Sequence, residues 1–288
     1  MPSGRREWVA MAKAIYSRFG EVQVTDRAAA LTYYSILSLF PGLLVIVSLL
    51  ALLGQYPQTY ESIVNTLNDA APGTAVNTIN SALRDALSNR SNAGVLLVVG
   101  LVLSLYSAAG AMGAAMRSLE AINRAKEGRS FLPNLGVRLG LTVLVTLLVL
   151  VAFLAVVVAG PLFGSIANAA GFPSIIKGLV GYLRWPIGAA ALLAAFAIVY
   201  ALGPQRTPRN GDRSLRSVLP GAVVGVALWF IVSLAFSAYV ANFSSYDKTY
   251  GTLGAMISLL IWLWLGNLAF LLGALFNAEG YRAAEEGK

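Results

Sequence analysis

The chain has 288 residues, of which 57% are hydrophobic and 12% charged, with a mean hydropathy of +0.70. That is about half the charge of an average soluble domain, so a water-soluble globular fold is excluded. With no cysteine and no histidine, disulfides, thiol nucleophiles, imidazole bases and nearly all zinc, haem and copper sites are excluded too.

In chain order, residues 7–19 place Trp8, Met11, Ala12, Ile15 and Phe19 on one side of a helix, with Lys13 and Arg18 away from it. This predicts a helix lying on the inner membrane surface, within a cytoplasmic and interfacial segment over 1–27. Six apolar runs follow, at about 30–54, 93–116, 137–160, 185–203, 218–240 and 252–276, each long enough to cross a bilayer. No soluble domain fits between them, so residues 1–288 are read as a single membrane domain. The first run starts late and lacks a small-residue cleavage site, unlike a secretory signal.

The first run is broken by polar groups and a proline. At about 100° per residue, Ala30, Tyr34, Ser38, Pro41 and Ser48 share one face, with Arg27 on the same face at its start. Pro41 has no N–H, which leaves the Leu37 carbonyl in need of a partner from a side chain, a neighbouring helix or water. Ser38 is close enough to be that partner. Two readings stand side by side: these residues satisfy and kink a buried helix, or they line a path or cavity.

The loop after it, 55–92, reads as two short amphipathic helices hinged at Pro72-Gly73. One carries Tyr60, Ile63, Val64 and Leu67, the other Val76, Ile79, Leu83 and Leu87. They are expected to cap the outer face, and a lid over an external vestibule is the functional variant.

Further on, Gly251, Ala255, Ser258, Trp262, Gly266, Ala269 and Gly273 fall on one stripe of the last run. Small residues so spaced let helix backbones approach closely. Gly221-x-x-x-Gly225 and Gly136-x-x-x-Gly140 repeat the pattern. Core packing is the expected meaning, and a homo-oligomer is left open.

Lysine and arginine set the orientation, because short loops rich in them stay cytoplasmic. With both termini inside, sixteen of the 21 basic residues fall on the inner side. Arg84, Arg90, Lys177, Arg184 and Lys248 are left outside. The net charge of +8 is thus explained by topology and by contact with membrane lipids, possible anionic ones among them. No nucleic-acid partner is expected, since the loops carry no recognisable binding motif.

The 13 carboxylates all lie outside the apolar runs or at their ends. Coupling through an intramembrane acid is therefore disfavoured. So is a metal-dependent hydrolase, because no acids stand at ligand spacing. The expectation is an all-α polytopic membrane protein with six transmembrane helices, N-in and C-in, that is not an enzyme and carries no metal or cofactor.

Several stretches resemble the YihY/BrkB family of bacterial inner-membrane proteins: "RAAALTYYSILSLFPGLLVI", "EGRSF", "LPGAVVGVALWFIVSLAFSAYV" and "YGTLGAMISLLIWLWLGNLAFLLGALFNAE". The likeness runs over nearly the whole chain. Tyr33-Tyr34, Ser38, Pro41, Pro220-Gly221-Ala222, Trp229, Tyr239, Tyr246, Tyr250-Gly251, Trp262 and Gly273-Ala274 carry it in order. The resemblance implies six spans in a bacterial cytoplasmic membrane. It also brings an older label, the transfer-RNA-processing ribonuclease BN, and ideas of serum resistance and of envelope-lipid transport. A nuclease needs a metal cage or an acid–base pair, and this sequence offers neither. One departure stands out: the family's Gly-Ala-Glu reads Gly273-Ala274-Leu275 here, with Glu279 one turn further on as a possible substitute.

Two functions compete. In one, the chain transports or flips a lipid or other amphipathic envelope molecule. Arg27 and Arg138 then form a basic inner entrance, Tyr34, Ser38 and Pro41 a polar face, and Tyr239, Tyr246 and Tyr250 an aromatic cluster near the outer interface. In the other, the protein is an envelope scaffold whose tyrosines are ordinary interface anchors.

Overall fold

The structure, a computed structural model, describes residues 5–52, 90–124, 130–153, 174–204, 215–242 and 245–286. All regular structure among them is α-helical: α1 (Arg5–Glu21), α2 (Val24–Leu52), α3 (Arg90–Ile122), α4 (Phe131–Phe153), α5 (Ser174–Leu202), α6 (Leu215–Asn242) and α7 (Ser245–Glu286). Five of these are long and apolar enough to cross a membrane, over Val98–Ile122, Leu132–Ala152, Tyr182–Leu202, Leu215–Tyr239 and Met256–Arg282. The chain is a multi-pass, all-α membrane protein. The first apolar run falls on α2, whose backbone stays helical through Pro41 to Leu52. The helices expected over 55–92 lie almost wholly outside the described residues.

Two boundaries differ most from the sequence reading, both because helix continues beyond the apolar run. α5 begins at Ser174 and carries Pro186 inside it. α7 runs for 42 residues and passes the expected end at 276 by a further ten, so Glu279 sits on a helix rather than at a loop end. Hydropathy stops the run at Asn277 and Glu279, yet both are buried. Their polar atoms have protein partners, so the helix need not end where the apolar stretch does.

The chain divides into two compact units, residues 1–27, 112–230 and 268–288 in one, 28–111 and 231–267 in the other. In the first unit, Leu119, Ile122, Leu271, Leu275, Val24 and Pro204 are the largest fully buried side chains among the described residues. Here α4 packs along α5. In the second unit, Leu31, Thr32 and Ala109 are buried. Apolar side chains such as Val98, Val102, Leu147, Val151 and Ile257 are exposed on the helices. On a spanning helix that surface is what acyl chains cover.

α1 corrects one expectation. Arg18 was expected on its polar side, yet it is buried, as are Met11 on α1 and Val22 in the turn that follows. At 100° per residue the three fall within about 40° of one another. The helical phase thus already sets Arg18 beside Met11; the expectation followed its charge, which says nothing of the partners that await it. α1 and α3 each stop at a non-glycine residue with left-handed backbone, Gln23 (φ 54°) and Arg124 (φ 51°), the conformation that commonly ends a helix.

Candidate functional site

The predicted path residues are placed as follows. Arg27 donates from Nε to the Val22 carbonyl at 2.7 Å, within the α1–α2 turn. Tyr34 meets Tyr33 edge to face at 5.4 Å. Its ring also lies where a Cβ on Gly110 of α3 would come within 2.9 Å, so that glycine makes room for it. Ser38 donates to the Ser35 carbonyl at 2.7 Å, and Ser35 to that of Leu31 at 2.9 Å. The expectation that Ser38 serves the Leu37 carbonyl is thereby corrected: a gauche serine in a helix reaches back three or four residues, not one. The side chain of Pro41 lies outside the described residues.

Arg138 lays its guanidinium over Gly113, where an added Cβ would meet Cζ and Nε at 2.9 Å. Tyr239 is half-exposed and stacks on Phe236 at 6.1 Å. The side chains of Tyr246, Tyr250 and Ala255, and the surroundings of Gly251, are outside what is described. On the same stripe, Trp262 donates from its indole to Ser233 Oγ at 3.2 Å, and Ser258 and Gly266 are partly buried. Asn267 donates to Thr32 Oγ1 at 3.1 Å, and Thr32 in turn to the Ala28 carbonyl at 2.8 Å. In the second unit, therefore, α2, α6 and α7 are cross-linked by neutral polar groups.

In the first unit α6 and α7 touch backbone to backbone. A Cβ at Gly221 would collide with the Gly273 carbonyl and Asn277, and one at Gly273 with the Gly221 carbonyl, the Tyr200 hydroxyl and Gly225. Pro220, inside α6, withholds an N–H and disturbs the local ladder. Beside it Asn277 accepts from the Gly221 N–H at 2.7 Å and donates to the Val218 carbonyl at 2.8 Å. One carboxamide thus brackets the proline with a donor and an acceptor. The buried Tyr200 hydroxyl donates to the Phe270 carbonyl, and its ring packs 5.0 Å from that of Phe270.

Charge gathers beside this seam. Arg18 donates to the Ile122 and Ala121 carbonyls at 3.2 and 3.4 Å, closing the open end of α3. It also pairs with Glu21 at 2.6 Å and faces Glu279 at 3.6 Å. Glu279 is held in turn by Arg282 at 2.5 Å, and Glu21 by Arg124 at 3.6 Å. The hydrogen bond from Arg18 holds the exposed Glu21 carboxyl below its ordinary value of 4.5. Leu275, where the family resemblance expects glutamate, is wholly buried and apolar. Glu279 thus stands a turn away among arginines, in an ionic cluster with Arg18 and Arg282.

A cavity of about 260 Å³ opens nearby. Arg216, Ser217 and Pro220 of α6 line it from one side and Phe276, Gly280 and Tyr281 of α7 from the other, with Asn277 also in its wall. α1 backs the same stretch of α7, Trp8 lying 6.3 Å from the Phe276 ring. Sequence reading passed over Asn277, Tyr200 and Asn267. The available signal was the polar residue within an apolar helix, which lipid forces to find a partner.

Comparison with known proteins places the chain. The family model described as virulence factor BrkB matches residues 15–288. A ribonuclease-like protein, YfkH, of Bacillus subtilis is 32% identical over 266 residues, covering 92% of this chain and 93% of its own. A UPF0761 membrane protein of Xanthomonas axonopodis pv. citri is 27% identical over 276 residues, covering 94% of this chain but 61% of its own. One from Xanthomonas oryzae pv. oryzae is likewise 27% identical, with 94% of this chain and 60% of its own covered. The chain thus spans about three fifths of the Xanthomonas relatives. No solved structure matches. With the family model matched over nearly its whole length, this multi-pass membrane protein belongs to the YihY/BrkB family.

Proposed function

We propose that the protein moves a lipid or other amphipathic envelope molecule across the bacterial cytoplasmic membrane, with both termini inside and without enzymatic chemistry. One observation carries the reading. In the second unit α2, α6 and α7 present neutral hydrogen-bonding groups, Thr32, Ser233, Trp262 and Asn267, on stretches 28–52, 231–242 and 249–267 that contain no charged residue. Neutral donors and acceptors can exchange hydrogen bonds with a passing headgroup, whereas ion-coupled carriers rely on charge or open carbonyls near the midplane.

The scaffold reading draws support from a different observation: the Ser35 and Ser38 hydroxyls are spent on their own helix. The test is reconstitution in liposomes with a fluorescent lipid in both leaflets and quenching from outside. Transport predicts loss of the inner-leaflet signal above that of empty liposomes, slowed by Tyr34→Phe and Pro41→Ala. Signal equal to empty liposomes with folded protein would favour the scaffold. A ribonuclease-like role, suggested by the name of YfkH, is opposed by the lack of histidine and predicts RNA cleavage by the purified chain.

A further inference from the structure

We infer that the cavity between the first turns of α6 and the last turns of α7 holds the phosphate of an anionic phospholipid, with Arg216 as its counter-ion. The inference concerns binding and stands whether or not the lipid is transported.

Four observations meet at this place. The cavity sits where one spanning segment begins, at Leu215, and another ends, at Arg282, so it lies at headgroup depth rather than in the hydrocarbon. Its lining includes a cation, Arg216, and no carboxylate. The acid on the neighbouring turn, Glu279, is buried and engaged by Arg18 and Arg282, and so does not oppose an incoming anion. The Pro220 and Phe276 rings supply apolar wall for the glycerol and upper chain carbons.

Size argues the same way. At about 260 Å³, the cavity falls just short of pockets that enclose a drug-sized molecule, roughly 300–1,000 Å³. It suits a headgroup whose chains remain in the bilayer. The site is also held in shape: Asn277 bonds both sides of Pro220, and Trp8 and Met11 of α1 back Phe276 and Gly280 from behind. A guanidinium beside a rigid apolar wall matches a phosphodiester with attached carbon chains better than a freely hydrated anion.

The full chain, delipidated in mild detergent, would be titrated with phosphatidylglycerol and, separately, phosphatidylcholine, with bound lipid read by native mass spectrometry. A photoactivatable phosphatidylglycerol would report where it attaches. The expected result is preferential retention of one phosphatidylglycerol, attachment within 216–220 or 276–281, and an affinity loss of about fivefold to tenfold in Arg216→Gln. That is less than a buried charge-assisted bond would give, because Arg216 is exposed. Arg117→Gln, an exposed arginine on α3, removes the same charge and should leave retention unchanged. Equal retention of phosphatidylcholine, attachment elsewhere, or equal losses in both variants would overturn the inference. So would displacement by inorganic phosphate at matched concentration, which would mark a free-anion site. The competition and attachment measurements use the unaltered protein, so they decide the matter even if Arg216→Gln folds poorly.

Discussion

Replacing Asn277 by leucine keeps its approximate volume and removes both bonds that bracket Pro220, the 2.7 Å bond from Gly221 N–H and the 2.8 Å bond to the Val218 carbonyl. In water-soluble cores each orphaned group would cost about 1–3 kcal/mol. Between membrane helices measured hydrogen bonds average about 0.6 and reach about 1.7 kcal/mol, because the dissociated helices also find partners. For two bonds the expected loss is therefore about 1–3.5 kcal/mol. Unfolding in mixed micelles titrated with a denaturing detergent, followed by helical circular dichroism, reads it directly. The Pro220→Ala background adds a sharper criterion. If the proline creates the need for Asn277, the cost of Asn277→Leu should shrink there, with a coupling above about 0.5 kcal/mol. A single-variant loss within about 0.3 kcal/mol of zero, the scatter of independent sites, would refute the reasoning.

Three further outcomes are expected. Arg18→Met should destabilise toward the lower end of the about 3–5 kcal/mol typical of a broken buried pair, since Glu279 keeps Arg282; Arg18→Lys should recover only part, because one ammonium cannot replace the fork that reaches both Glu21 and the α3 carbonyls. Thermal unfolding of the detergent-solubilised protein measures both. Glu21 has a folded value below its unfolded 4.5, chiefly through its hydrogen bond with Arg18, so its contribution is fully present above pH 4.5 and lost as pH falls through the folded value; unfolding measured between pH 6 and 3 should lose that slope in Glu21→Gln. Gly273→Ala should cost about 1–3 kcal/mol by forcing α6 and α7 apart, whereas Gly136→Ala and Gly140→Ala, which meet nothing within 4 Å, should be neutral or stabilising by up to about 1 kcal/mol. Parallel melting curves of the three variants would check this contrast.

By itself the sequence determined the class of the protein: long apolar runs in a chain with 12% charge read as helices in lipid, since backbone groups there must be paired inside the protein and a helix pairs nearly all of its own. It also marked Gly221, Gly225 and Gly273 as places of close approach, because small size at helical spacing is a local property. Tertiary structure decided the rest. Arg18 read as solvent-facing until the open α3 carbonyls and Glu279 stood beside it. Asn277 read as the end of a run until the backbone on either side of Pro220 turned out to be its partner. Ser38, conversely, read as a partner for the Leu37 carbonyl and bonds the Ser35 carbonyl instead. Periodicity reports which way a side chain points from its own helix. What a polar side chain does in a membrane depends on which donor or acceptor a second helix, distant in sequence, brings within 3 Å.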